Sequence, residues 1–312
     1  MFAGAAKPKT SIAESKTGFR LVHIPQSLWI HHSREEWAVK SLKIFGLAVL
    51  AILGVTSIAS AADTGGAPGW SGWYVGVNAG GGWGHSNSGA VFAPRSSLDT
   101  AAVDSTSNAL NGALGGLQAG YNVQTGAFLF GFETDIQATG QQGDAQSTVT
   151  QTSPTVCQPS CTPPRPPTVT KAPFDTAQKL PWFGTLRGRI GVTPSAGWLV
   201  YATGGLAYGE IKTNSTLTVP PVVCAFPCTG TPGGSVAGNF SQTRAGWVVG
   251  AGVETALAGN WTGKLEYLHV DFGDVSNTLP PIHIIPFTGT LRTSARLTDE
   301  IVRVGVNYHF GG

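Results

Sequence analysis

The residue types that could support covalent catalysis meet at one point of the chain. His269 and Asp271 share one face of an alternating segment, and Ser276 follows a few residues later. A serine activated by a histidine, which a carboxylate orients, is a common hydrolytic arrangement. Here the spacing matches no nucleophile motif, and these three residue types often occur together by chance. We therefore expect no catalytic site, and an enzymatic role is the alternative.

Four cysteines form a second group with chemical potential. They come as two Cys-x-x-x-Cys pairs, Cys157 with Cys161 and Cys224 with Cys228. In an oxidising compartment such pairs form disulfides, either within each segment or between the two. A four-thiolate zinc site is the alternative, which prolines in both segments disfavour. The seven histidines show no metal-ligand spacing and no glycine-rich run lies in a βαβ context, so we expect no cofactor.

Charged residues of both signs recur on the polar face of alternating segments. With a formal net charge of +2 and no basic patch, the chain is not predicted to bind nucleic acid. If the polar faces meet, the recurring charges should form an ion-paired cluster, and a narrow ion pathway or small-solute site is the alternative. The set comprises Glu133, Asp135, Arg187, Arg189, Glu254, Lys264, Glu266 and Arg303.

Strands must position these charges, as the last segment shows most clearly. From Ile301 to Phe310, valines and aromatic residues alternate with polar residues and glycine at a period of two. The apolar face ends in Tyr308 and Phe310, an aromatic pair that is typical of a membrane–water interface. The 43 glycines, nine tryptophans and 12% charged residues are unusual for a cytoplasmic protein.

The hairpin from Gly112 to Gln137 repeats this pattern on two neighbouring strands. Phe130 and Phe132 lie on one face, whereas Glu133 and Asp135 lie on the other. A soluble protein would bury the aromatic face and expose the acidic one. An outer-membrane barrel does the reverse, because its outer face meets lipid and its inner face lines the lumen.

About eight such strands follow one another, and their connections alternate between long and short. Tight turns and long loops on opposite ends are typical of transmembrane barrels. The sequence therefore predicts an all-β fold, an eight-stranded antiparallel transmembrane up-and-down β-barrel over residues 70–310, with a soluble β-sandwich as the alternative. The long loops are predicted at 85–111, 138–180, 214–242 and 274–297.

The N-terminal part has the pattern of an export signal. Two lysines precede the apolar run from Ile44 to Ile58, and small residues close it. We predict a signal peptide over 39–61, cleaved after Ala61 or Ala62, and a linker over 62–69. Residues 1–38 are predicted to be an untranslated leader, with translation starting at Val39, or a disordered extension.

Several strand motifs together resemble a known family. They are Trp-Ser-Gly-Trp-Tyr-Val-Gly-Val from Trp70, Gly-Leu-Gln-Ala-Gly-Tyr from Gly116, Gly-Phe-Glu-Thr-Asp-Ile from Gly131, Trp-Phe-Gly-Thr-Leu-Arg-Gly-Arg-Ile-Gly from Trp182, Tyr-Ala-Thr-Gly-Gly-Leu-Ala-Tyr-Gly from Tyr201 and the terminal Tyr-His-Phe. From Trp70 to Phe310 the chain resembles the small alphaproteobacterial outer-membrane β-barrel proteins, described as outer-membrane immunogens or porin-family proteins.

The resemblance implies a location in the outer membrane of a Gram-negative bacterium and a role in envelope integrity and surface exposure, without a reaction. Tyr308 and Phe310 match the family's C-terminal assembly signal, although Gly311 and Gly312 follow it here. The expected partners are outer-membrane lipid, the barrel assembly machinery and an unidentified extracellular ligand or cell-wall contact. A narrow porin-like channel is the alternative function, followed by a lipid-modifying enzyme at the barrel rim.

Overall fold

The computed structural model describes residues 69–96, 99–153, 168–221, 232–284 and 287–310 of the 312-residue chain. The predicted signal peptide with Ala61 and Ala62, the preceding extension, nearly all of the linker and the four cysteines lie outside these residues. Within the described ranges, no helix is both long and apolar enough to cross a membrane.

Eight long strands close into a ring. The strands are β1 (Gly72–Pro94), β2 (Thr100–Val103), β3 (Thr106–Thr125), β4 (Phe128–Ser153), β5 (Thr168–Ser195), β6 (Trp198–Val219), β7 (Gly234–Ala256), β8 (Trp261–Thr278), β9 (Ile282–Ile284) and β10 (Phe287–Phe310). Each long strand is antiparallel to its neighbours, and β10 pairs with β1 from Trp73↔Phe310 to Pro94↔Gly289. The predicted eight-stranded antiparallel barrel is confirmed, and two short strands, β2 and β9, add to it by pairing with β4 and β10.

Three tight turns join the strands at one end of the barrel. Gly126, Gly197 and Gly259 occupy them with φ angles of 62°, 81° and 57°. Residues with a Cβ atom rarely adopt this left-handed backbone, so glycine allows the strands to reverse within two to four residues. In outer-membrane barrels this end faces the periplasm.

A belt of exposed apolar side chains surrounds the half of the barrel next to these turns. On β1, Trp73, Val75, Val77 and Trp83 point outward with exposed fractions between 47% and 56%. At the usual tilt of barrel strands, the ten residue steps from Trp73 to Trp83 rise about 25 Å, the height of the apolar band of an outer-membrane barrel. Outward-facing aromatic residues mark both edges of the belt, Trp83, Trp182, Tyr208 and Trp247 at the outer edge and Trp73, Tyr121, Phe128, Trp261, Tyr308 and Phe310 at the inner edge.

The prediction of four long loops is wrong over most of their length. Strands occupy these stretches instead, because they continue past the outer aromatic ring. β1 extends to Pro94, β4 to Ser153 and β6 to Val219, while β7 starts at Gly234 and β10 at Phe287. The barrel therefore projects about 25 Å beyond the apolar belt as a strand-walled extension.

The polarity of the wall inverts in this extension. On β5, Ala172 and Phe174 point inward and are buried, whereas Lys171 and Asp175 point outward and are exposed. The outer face here meets water, so the apolar residues turn inward as in a soluble barrel. The Ser-, Thr- and Gln-rich stretches that suggested loops are the water-facing half of these strands.

The interior is layered along the barrel axis. A basal apolar layer lies near the turns, the predicted charges follow, a central apolar layer comes next, and an outer apolar layer closes the extension. The basal layer comprises Trp70, Leu129, Leu199 and Tyr201. The central layer includes Leu110, Leu180, Phe183, Leu268, Leu297 and Ile301. The outer layer includes Phe92, Val149, Phe174, Leu217, Ile282 and Phe287.

The seam between β7 and β8 lacks a hydrogen-bond ladder in the extension. β7 pairs with β8 only as far as Trp247↔Asp271. Beyond this point the described part of β7 pairs with β6 alone, and that of β8 with β10 alone. Side chains bridge the two edges, because Gln242 Nε2 lies 2.5 Å from Asn277 Oδ1 and 3.3 Å from the carbonyl oxygen of Ser276.

We predict that the seam is the least protected part of the wall in hydrogen exchange. Every second amide between Ser235 and Ala245 should exchange quickly, because it faces β8 without a ladder partner. Peptides from the facing stretch of β6, which is paired on both sides, serve as the internal control. Mass-spectrometric exchange on the folded protein in detergent would contradict this if both strands were equally protected.

Candidate functional site: a charged cluster inside the barrel

All eight predicted charged residues point into the barrel at the level of the apolar belt. They come from five strands, and their side chains are fully shielded from solvent. Four are cations and four are carboxylates, so the cluster is formally neutral. The members are Glu133 and Asp135 on β4, Arg187 and Arg189 on β5, Glu254 on β7, Lys264 and Glu266 on β8, and Arg303 on β10.

Glu133 and Glu266 are the two hubs of the cluster. Glu133 accepts hydrogen bonds from Arg187 and, at 2.9 and 3.0 Å, from the Lys264 ammonium. Glu266 accepts from Arg187 Nη1 at 3.0 Å and from Arg303 Nε at 2.7 Å. Because Arg187 bonds both hubs, it joins the two halves of the cluster across the lumen.

The other two carboxylates are also held by several donors. Asp135 accepts bonds from Arg187 at 2.9 Å, from Arg303 at 2.8 Å and from the Thr185 hydroxyl at 2.8 Å. Glu254 accepts from Arg189 at 2.8 Å, and Thr262 and Asn307 also donate to it. Buried charges are tolerated only when they are paired and hydrogen-bonded in this way.

Two tyrosines complete the cluster. They were not predicted from the sequence, because charged residues alone were considered. The Tyr74 hydroxyl donates to Glu133 at 2.8 Å and accepts from Arg189 at 2.6 Å. Arg189 also lies over the ring of Tyr201 at 4.0 Å from its centroid, and the Tyr201 hydroxyl donates to Glu266 at 2.9 Å. The alternation of β1 places Tyr74 on the lumen side, so strand periodicity was the signal that could have found it.

Glycines on the lumen side make room for these tyrosines. A Cβ atom on Gly120 would lie 2.3 Å from the Tyr74 hydroxyl, and one on Gly252 would lie 2.5 Å from the Tyr201 hydroxyl. Both separations are far below van der Waals contact. The large rings therefore fit in the narrow lumen only because their ladder partners on the adjacent strands carry no side chain.

The residues considered for catalysis do not form the expected chain of hydrogen bonds. His269 Nδ1 lies 2.7 Å from Glu300 Oε1, and Asp271 instead accepts from Arg296 at 2.6 Å. Tyr267 also donates to Glu300. Neither a nucleophile elbow nor a group of three or more potential metal ligands occurs in the part of the chain that the structure describes.

The C-terminal aromatic residues lie at the inner edge of the belt. Tyr308 and Phe310 end β10, where they pair with Val75 and Trp73. Their ring centroids are 5.2 Å apart. The predicted assembly signal is thus part of the closing strand pair of the barrel.

A closed antiparallel ring with an apolar belt outside and paired charges inside defines a β-barrel protein of the outer membrane. Residues 46–310 match the family model described as outer membrane protein beta-barrel domain, and the chain belongs to this family. The protein therefore resides in the cell outer membrane, as expected from its sequence.

Curated relatives carry outer-membrane names. The chain is 31% identical over 247 residues to the 31 kDa outer-membrane immunogenic protein of Brucella melitensis, covering 76% of this chain and 82% of that protein. It is 28% identical over 153 residues to a 22 kDa outer membrane protein of Rhizobium leguminosarum, covering 49% of each chain. Among solved structures, OprG from Pseudomonas aeruginosa aligns with a TM-score of 0.39 and 11% identity, over 77% of this chain and 97% of that one.

Charge reversal at the centre of the cluster should destabilise the barrel. In Arg187→Glu, three cations would face five carboxylates without access to water, and both hubs would lose a donor. We expect a loss of about 3–5 kcal/mol in the free energy of unfolding. The temperature at which the compact, unboiled gel band converts to the unfolded band in detergent measures this loss.

Arg292→Glu is the matched control, because Arg292 points outward from the extension and is exposed. The same charge reversal there should leave the transition temperature nearly unchanged. Equal transition temperatures for Arg187→Glu and the unmodified protein would contradict a structural role of the cluster.

Proposed function

We propose that the protein is a closed structural barrel, which strengthens the outer membrane and carries a strand-walled extension to the outside of the cell. The observation that carries this proposal is the filled interior. An eight-stranded barrel is just wide enough for its own side chains, and here those side chains meet across the lumen.

The cations of the charged cluster are all paired. Each of the four lies within 3.0 Å of a carboxylate oxygen. A permeating ion would have to displace one of these contacts in a site that is shielded from solvent. Fixed neutral pairs differ in this respect from the rings of like charge that select ions in channels.

The layers above the cluster also disfavour a solute path. The central and outer apolar layers are buried, and only a thin polar gap separates them. The cavity in this gap, lined by Ser88, Gln178 and Asn277 among others, holds about 20 Å³, which is room for one water molecule. A narrow porin-like channel would require both layers to open.

The residues considered for a reaction at the rim do not support this alternative. His269 bonds Glu300 rather than the carboxylate that was considered with it. The Brucella melitensis relative is named for its immunogenicity, which fits a protein that presents its extension outside the cell.

Planar-bilayer recordings test the closed barrel directly. Protein that shows the heat-dependent gel shift should insert and give no stable unit conductance in concentrated KCl, because the interior offers no continuous aqueous path. A general porin in the same bilayer is the positive control. Reproducible ohmic openings from the folded protein would overturn the proposal and favour the narrow channel.

A further inference from the structure

Two lysines face each other on the outside of the barrel. Lys179 on β5 and Lys212 on β6 are direct partners in the ladder, and both side chains point outward. Like charges at directly opposed positions destabilise a sheet. The side chain of Lys179 has no ion pair or hydrogen bond among the described residues, and that of Lys212 is 49% exposed.

Polar side chains extend this pair into a row. Gln142 on β4 is the ladder partner of Lys179, and Ser241 on β7 is the partner of Lys212. The row therefore presents two ammonium groups flanked by an amide and a hydroxyl. The two ammonium groups and the amide can donate hydrogen bonds to phosphate oxygens.

One carboxylate lies beside the row. Glu210 Oε1 is 3.5 Å from the Lys212 ammonium, and it accepts a hydrogen bond from Ser241 at 2.6 Å. The hydrogen bond from Ser241 lowers the pKa of Glu210, so this group is charged at neutral pH. It offsets the charge of Lys212, whereas Lys179 forms no ion pair among the described residues.

The row lies at the height of the lipid headgroups. Trp182 and Tyr208, on the same two strands, belong to the outer aromatic ring, and the Trp182 indole donates to Glu210 at 3.0 Å. Lys179 and Lys212 come three and four residues beyond these aromatics. Side chains just outside an aromatic ring reach the phosphate layer of the membrane.

A shallow groove runs below the row, on β5, β6 and the adjacent β4. Its floor is formed where Gly188 pairs with Gly204, and its sides include Phe130, Ile190 and Ala202. The groove measures about 400 Å³, and a Cβ atom on Gly188 would meet no atom closer than 3.9 Å. It lies about 20 Å beneath the lysines at the usual strand tilt, in the acyl-chain region.

We propose that the outer face of β5 and β6 binds a phosphorylated glycolipid of the outer leaflet. Lys179 and Lys212 hold a phosphate group, with Gln142 as a further donor, and an acyl chain lies in the groove at Gly188 and Gly204. This site goes beyond the closed structural role, because it assigns a defined lipid to one face of the barrel.

Native mass spectrometry of the full chain, refolded in detergent, can test this site. The probe is diphosphoryl, hexa-acylated lipid A. The double variant Lys179→Gln with Lys212→Gln should bind it about tenfold more weakly, because two charge-assisted contacts to phosphate are lost. The enzymatically dephosphorylated lipid A should bind weakly to both proteins. The heat-dependent gel shift shows that each variant is folded.

The matched control is Lys171→Gln with Arg292→Gln, which removes the same charge from exposed positions farther from the membrane. It should keep the full affinity. Equal binding by the Lys179 and Lys212 double variant, an equal loss in the control, or tight binding of dephosphorylated lipid A would each overturn the site. Phosphatidylglycerol bound as tightly as lipid A would overturn the assignment to a glycolipid.

The groove is tested separately by Gly188→Leu, which fills it without contacting the lysines. This variant should bind lipid A more weakly while keeping the dependence on phosphate. Unchanged affinity would show that the acyl chain does not occupy the groove.

Discussion

Within a bilayer every backbone N–H and C=O group must find its partner inside the protein, because lipid offers none. The long ladder between β1 and β10 meets this requirement by closing the sheet on itself. Closure at eight strands then fixes the width of the lumen, which leaves room for side chains and little else. The paired charges, the tyrosines that cross the lumen and the glycines that face them all follow from this width.

The same ring of strands passes through lipid and then through water. The polarity of its outward and inward side chains changes accordingly. At the belt, lipid receives the apolar side chains, so polar groups can point inward once they satisfy one another. In the extension, water surrounds the wall and the apolar residues must turn inward, as Phe174 and Leu217 do. The solvent also explains the position of the seam between β7 and β8. The seam lies in the extension, where water can form hydrogen bonds with the unpaired backbone groups, and not in the belt, where lipid could not.

The structure could be predicted from the sequence where a single pattern of alternation held throughout a strand. Apolar-out alternation predicted the membrane part of the wall, the tight turns and the strands that carry the charges. It failed in the extension, where the same period of two appears with the opposite polarity and with Ser, Thr and Gln as the outward residues. Which charges meet could not be predicted, since Arg187 and Glu133 are 54 residues apart and are joined by register. His269 shows the same limit, because a cross-strand neighbour such as Glu300 is closer than the residue two positions away.

The charged cluster also bears on how the barrel selects its register. Burying ion pairs is not in itself a strong source of stability, and apolar side chains of similar volume often replace them without loss. Alternating charged and apolar layers, however, raise the free energy of a barrel in which one strand pairs out of register. If β5 moved along its neighbours by a few residues, Arg187 would leave its carboxylates and enter an apolar layer, while those carboxylates would face leucine or phenylalanine. A uniformly apolar lumen would impose no such penalty. The alternation of charged and apolar layers thus fixes where each strand stops, and with it the height at which the outer aromatic ring and the lysine row meet the membrane surface.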